Sequence, residues 1–131
     1  MNLINVSEGA FLAMHSLALI AKKQPDRVTV KHLAEELDAS QAHLAKVFQK
    51  LSKAGYVKSV RGPTGGFILN KPAKEISFLD IYQTMEGDIS LGHCPLGKDT
   101  CAFESCIFSS NLHKISNEIY DTYKKITLAD F

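Results

Sequence analysis

The chain has no cysteine outside one short stretch: its thiols all fall in Cys94-Pro-Leu-Gly-Lys-Asp-Thr-Cys101-Ala-Phe-Glu-Ser-Cys106. An odd number of cysteines without a secretory signal excludes a disulfide scaffold and leaves metal ligation, redox sensing or inert thiols. Inert cysteines usually sit scattered in apolar segments. These are grouped in a polar loop, the arrangement expected of ligands for a thiophilic metal centre. Also missing is any apolar run approaching the ~20 residues of a membrane span. The stretch from Asn2 to Glu8 has neither a basic n-region nor a cleavage site, so the expectation is a cytoplasmic protein with no membrane partner. The glycines at 62, 65 and 66 are not followed by Gly-Lys-Ser/Thr, which excludes a phosphate-cradling P-loop. No nucleophile, base and orienting acid can be placed together, so the chain does not read as an enzyme. At 131 residues it suits one modest core, or a small unit that gains burial by pairing with a copy of itself.

The net charge of +1 hides a segregation. From Lys22 to Lys74 there are 11 Lys or Arg against 4 Asp or Glu, a net +7; from Glu75 to Phe131 there are 4 against 9, a net −5; Glu8 supplies the remaining −1. A basic middle beside an acidic C-terminal part is expected where only the middle faces a polyanion, because phosphate contacts supply most of the sequence-independent affinity for nucleic acid.

Hydrophobic spacing and caps divide the chain into a mainly α fold with a small β wing. Ser7 can cap a first helix running to about Lys22, with Ala10, Phe11, Met14, Leu17, Ala18 and Ala21 as its inward stripe and Pro25 closing the segment. Thr29 can cap a second, Val30 to Leu37, in which Leu33, Ala34 and Leu37 repeat at three and four residues. After the tight Asp38-Ala39-Ser40 connection, Ser40 can cap a third from Gln41 to about Ala54, with Leu44, Val47, Phe48 and Leu51 inward and Gly55 just past its end. Tyr56 to Val60 and Gly66 to Leu69 read as two strands joined by Arg61-Gly62-Pro63-Thr64-Gly65. Ser77 with Asp80 forms a capping-box pattern, and Ile76 with Ile81 a hydrophobic staple, for a helix ending at Glu86-Gly87. A cysteine loop over about 92–106 follows. Leu112, Ile115, Ile119, Tyr123 and Ile126 then recur along a last amphipathic helix that needs a partner surface.

Helix, short turn and helix suggest a helix-turn-helix, whose second helix enters the major groove of DNA. The outer face of the third helix carries Gln41, Ala42, His43, Ala45, Lys46, Gln49, Lys50 and Lys53 without a single acid. Mixed charges are more usual on a solvated helix. Ser40, Gln41, Ala42, His43, Lys46, Gln49 and Lys50 are therefore candidate DNA contacts, joined by Arg61 and Thr64 at the wing, where a guanidinium can meet phosphate or a narrow minor groove. Residues 1–75 read as a winged helix-turn-helix DNA-binding domain and residues 76–131 as a sensor loop with a dimerisation helix.

Taken in order, Ser59-Val60-Arg61-Gly62-Pro63-Thr64-Gly65-Gly66-Phe67-Ile68-Leu69, Ile76-Ser77-Phe78-Leu79-Asp80-Ile81, Glu86-Gly87, the cysteines and Ile126-Thr127-Leu128-Ala129-Asp130 resemble the IscR/NsrR family of winged-helix transcription regulators over essentially the whole chain. The resemblance implies a homodimer in which the long C-terminal helices cross and helix one also packs at the interface. It implies an iron–sulfur cluster, 2Fe–2S or 4Fe–4S, held by Cys94, Cys101 and Cys106. In some members an acid near the start of helix one, donated by the partner subunit, completes the cluster, and Glu8 falls at the matching place; it can equally serve only to complement the helix dipole. Others use a histidine three residues after the last cysteine, where this chain has Ser109. Six residues between the first two cysteines and four between the last two also depart from the commonest family pattern. His93 and His113 are further candidate ligands.

The implied function is a homodimeric regulator of double-stranded promoter DNA, a repressor, that senses redox state, nitric oxide or iron–sulfur status. The alternative is a metal-free regulator of the same fold whose thiols respond by disulfide or sulfenic-acid formation. A structural zinc site would favour a Cys-x-x-Cys knuckle that is missing here. An electron carrier would have no use for the basic face of helix three.

Overall fold

Local capping chemistry sets most helix boundaries in the computed structural model of the chain, which describes residues 5–63, 65–89, 91, 94 and 97–131. Helix α1 spans Glu8–Lys23, and the Ser7 hydroxyl accepts from the Ala10 amide at 3.1 Å. Thr29 does the same for α2 (Val30–Glu36), accepting from His32 at 3.1 Å, and Ser40 for α3 (Gln41–Lys53), accepting from His43 at 3.0 Å. Each hydroxyl satisfies one amide that the helix itself cannot. The α2–α3 turn is closed by Asp38 at φ +49° and by the Ala39 amide, which donates to Ala34 at 3.0 Å. The end of α3 closes the same way, with Tyr56 donating to Leu51 and Gly55 to Ser52, each at 3.0 Å.

The wing is an antiparallel pair, β1 (Val57–Ser59) and β2 (Phe67–Leu69), in the register Val57 to Leu69, Lys58 to Ile68 and Ser59 to Phe67. Both strands are shorter than the sequence pattern suggests. A third backbone segment joins them: Val28 and Phe67 exchange amide hydrogen bonds of 3.0 and 2.8 Å. One bridging residue after Pro25-Asp26-Arg27 has no period to betray it.

Helix α4 (Phe78–Glu86) begins at a complete capping box, with the Asp80 amide donating to the Ser77 hydroxyl and the Ser77 amide to the Asp80 carboxylate. The expected staple partners Ile76 and Ile81 are both fully buried. After α5 (Ser109–Lys125), the chain returns to pair with the segment ahead of α4. Phe78 donates to Ile126 at 2.9 Å and Leu128 to Ile76 at 3.1 Å, and a second capping box, Thr127 with Asp130, fixes the short 3-10 turn Leu128–Asp130. Leu128 is thereby buried against Ile76.

The first helix corrects the sequence expectation. Its buried residues are Ala10, Leu12, Ala13, Met14, Ser16, Leu17 and Ile20, while Phe11 is 43% exposed and Ala18 and Ala21 lie at the margin. Because α1 packs against α3, α4 and β2, and is apolar around most of its circumference, no single stripe marks its inner face. Among the described residues Ser16 is the one buried polar residue, and its hydroxyl has no hydrogen-bond partner there. A buried hydroxyl without a partner carries a desolvation cost that alanine lacks. Ser16→Ala is therefore expected to raise the unfolding free energy by about 1 kcal/mol, read from the urea midpoint; a loss of stability instead would mean that the hydroxyl is satisfied.

Tyr82 of α4 and Tyr123 of α5 meet with ring centroids 5.7 Å apart. Burial first, then Glu86 and Tyr123, raise the Tyr82 phenol above its ordinary value, so it stays neutral at physiological pH. Otherwise α5 is thinly covered: no α5 residue belongs to the described core, and Ile115 is 49% exposed.

Candidate functional site

Leu44, Val47, Phe48 and Leu51 anchor α3 in the core, and the Phe48 ring packs on Phe67 of β2 at 4.6 Å between centroids. That contact sets the wing against the candidate recognition helix. With the apolar face spent, Ser40, Gln41, Ala42, Lys46, Gln49 and Lys50 are all exposed. His43 differs from expectation. It is half-buried, and its Nδ1 lies 3.8 Å from Glu8 Oε1 at the start of α1. The first turn of α3 holds no acid of its own, and Glu8 of α1 brings a carboxylate close to it. The exposed cations Lys46 and Lys50 on this face make a surface suited to a polyanion.

At the wing, Val60 donates to Gly66 at 2.8 Å and Gly65 to Gly62 at 3.1 Å, closing the turn beside exposed Arg61. Thr64 lies outside the described residues. Sequence reasoning missed Arg27: the Val28–Phe67 bridge carries it to the wing, where a Cβ built on Gly62 would come within 3.2 Å of Arg27 Nη1.

The cysteine loop starts at the end of α4, where Gly87 donates to Gln83 at 2.9 Å and the Gln83 side chain accepts from Ile89 at 3.2 Å. Cys94 is half-buried and its carbonyl accepts from Gly97 at 3.0 Å; Cys101 and Cys106 are exposed, next to exposed Phe103, Ile107 and Phe108. His93 lies outside the described residues. Among the described residues no three His, Cys, Asp or Glu side chains are gathered as for a metal ion. His113 sits half-buried on α5, and the exposed His15 ring bonds the Phe11 carbonyl at 2.8 Å. His32 stands 3.7 Å from Glu36 on α2.

Glu8 is 74% exposed and faces His43 rather than the thiols of its own loop. Its neighbour Ser7 donates a hydrogen bond to Glu86, the last residue of α4. The start of α1 thus touches both the root of the cysteine loop and the first turn of α3. Nothing in the sequence signals this junction, because its members are far apart along the chain.

The sequence profile of the Rrf2 family, described as an iron-dependent transcriptional regulator, matches residues 6–131. The HTH-type transcriptional regulator IscR of Pectobacterium atrosepticum is 30% identical over 129 residues, 98% of this chain and 77% of that protein. NsrR of Bacillus licheniformis, also an HTH-type transcriptional regulator, is 32% identical over 114 residues, 86% of this chain and 80% of its own. Among solved structures, the IscR of T. potens superposes with a TM-score of 0.78 at 29% identity, covering 98% of this chain and 85% of that one. The structure of CymR (YrzC), the global cysteine regulator of B. subtilis, does so with a TM-score of 0.83 at 24% identity, covering 98% and 95%, and bears on the fold alone. These relatives are regulators rather than enzymes, and no described helix is long and apolar enough to cross a membrane. A winged helix-turn-helix with a basic outer face, matched by that profile almost from end to end, places the chain in the Rrf2 family of transcriptional regulators.

Proposed function

We propose that this regulator is a cytoplasmic homodimer that represses promoters and senses redox state, nitric oxide or iron–sulfur status through Cys94, Cys101 and Cys106, with Glu8 donated by the partner subunit. The observation that carries the reading is the junction at the start of α1. Ser7 bonds Glu86 at the root of the cysteine loop while Glu8 faces His43 of α3.

The donor set fits an iron–sulfur cluster by its chemistry: three thiols lie in one loop, two of them exposed, with Gly97 turning the chain directly after Cys94. When bound, such a group supplies a centre reactive toward oxygen and nitric oxide. The chain's own residues do the rest. Cys94, Cys101 and Cys106 would hold the group as thiolates. A Glu8 carboxylate held toward a partner's loop would relinquish His43 in the first turn of α3. Regulation requires only that the two arrangements differ in DNA-binding free energy. Dimerisation is supported by the apolar surface one copy leaves bare, including Phe11, Ile115 and the hollow between Met14, Ala18, Phe78 and Phe131.

The test is iron and acid-labile sulfide content after oxygen-free isolation. Wild type is expected to carry both, and Cys101→Ala to retain less than about a tenth of them, since losing one thiolate opens the site. A wild type that is colourless and devoid of iron would sink the cluster reading. Reversible disulfide formation among the same thiols would then assign sensing to thiol chemistry.

A further inference from the structure

On the footing that the wing contacts DNA as proposed for this chain, we infer that Arg27 is a second phosphate-binding guanidinium of the wing. It would act beside Arg61 on the DNA backbone flanking the groove that the wing meets.

Four observations place it there. Val28 and Phe67 exchange two backbone hydrogen bonds, an isolated bridge that ties the segment before α2 to the edge of the wing. Arg27 leaves that edge beside Gly66, since a Cβ on Gly66 would lie 3.3 Å from Arg27 Cβ. Its side chain then runs toward the turn, because a Cβ on Gly62 would meet Nη1 at 3.2 Å and both Cζ and Nη2 at 3.9 Å. Arg27 is nonetheless exposed, as are Arg61 and Gly62.

The stem therefore lies along the wing while the head reaches the residue that follows Arg61. Arg27 thus reaches the turn that Arg61 opens, inside a segment with 11 Lys or Arg against 4 Asp or Glu, a local charge that favours an anionic partner. Phosphate is the anion that a planar, forked donor binds best. A bulkier residue at position 62 would displace the head group, so the wing leaves room for it. The competing role is structural: Arg27 could merely brace the turn so that Arg61 is aimed.

Salt dependence separates the two roles, because each phosphate contact contributes about 0.9 to the slope of log affinity against log salt. The probe is a fluorescein-labelled duplex pool of random sequence, titrated by anisotropy from about 50 to 200 mM salt. The proteins are wild type, Arg27→Ala, Arg27→Gln, Arg61→Ala and the Arg27→Ala/Arg61→Ala double variant, with Lys124→Ala on α5 as control. Arg27→Ala is expected to bind on the order of fivefold more weakly at low salt, with a slope shallower by about 0.9, and the double variant to be shallower by about 1.8. Arg27→Gln keeps the polar stem on Gly62 and is expected to match Arg27→Ala, which removes any ambiguity from altered packing. A double variant with the same slope as Arg61→Ala would show that Arg27 only braces the turn, and would overturn the inference. An unchanged Arg27→Ala slope would overturn it as well, while leaving DNA binding by the chain intact. A wild type without salt-dependent binding would overturn both.

Discussion

Phe48→Ala is expected to lower the unfolding free energy by about 3–5 kcal/mol, the range for deleting a buried phenyl ring. Phe48 is 2% exposed and is the largest fully buried side chain of the core. Truncation removes its burial and leaves a cavity between α3 and the wing, because its ring packs on Phe67 at 4.6 Å. A domain of this size has about 5–15 kcal/mol in total, so the variant stands near the edge of folding. Urea unfolding followed by circular dichroism reads the loss. Phe48→Leu, which keeps most of the volume, is expected to cost only about 1–1.5 kcal/mol and allows DNA affinity to be measured on a folded protein. Its affinity is expected to fall as well, since the same ring holds the wing to the candidate recognition helix α3. If Phe48→Ala cost less than about 1 kcal/mol, the ring contact would not be what holds the two together.

Gly66→Ala is expected to detach the segment ahead of α2 from the wing at a cost of about 2–3 kcal/mol. Two effects coincide at this residue. Its φ of +129° is a conformation that side chains avoid, and its Cβ would lie 3.0 Å from the Val28 carbonyl oxygen and 3.2 Å from the carbonyl carbon. Both neighbours are backbone atoms held by the Val28–Phe67 hydrogen bonds, so they cannot yield as the tip of a flexible side chain would. Gly55→Ala separates strain from collision: φ there is +83°, but nothing lies within 4 Å, and the expected cost is about 1 kcal/mol. Hydrogen exchange supplies the local readout. The Val28 and Phe67 amides should lose protection in Gly66→Ala and keep it in Gly55→Ala. Equal protection in the two variants would mean that the close approach of the chains at Val28 carries no weight.

Much of the architecture was legible because it is written in short-range chemistry. Ser7, Thr29, Ser40 and Ser77 cap the helices they were expected to cap, since a side-chain oxygen reaches an amide only two or three residues ahead. Gly55 ends α3 for the same local reason. The inner face of α3 was readable because its large apolar positions recur with the helical period against a remainder of polar residues and two alanines. The outer face follows from the same period, which is why Ser40, Gln41, Ala42, Lys46, Gln49 and Lys50 are exposed as expected. The inner face of α1 was misread at Phe11 and at Leu12, Ala13, Ser16 and Ile20 because an element packed on several sides has no contrasting face.

The cysteine loop was legible as a segment, but what lies around its root was not. Three thiols grouped in one polar loop are visible from the order of residues alone. That Glu8 faces His43, and that Ser7 ties the root of the loop to the first helix, depends on segments tens of residues apart being brought together. Arg27 became a wing residue in the same way, through one bridge between Val28 and Phe67.

By itself, then, the order of residues determined the helices, their caps, the charge division and the grouping of the three thiols, because each is set within a turn or two of the chain. Only the tertiary structure decided which face of α1 is buried, how the last residues return to Ile76, and which side chains meet at the start of α1 and on the wing. Those contacts join segments with no shared period, and close packing of the whole core selects them.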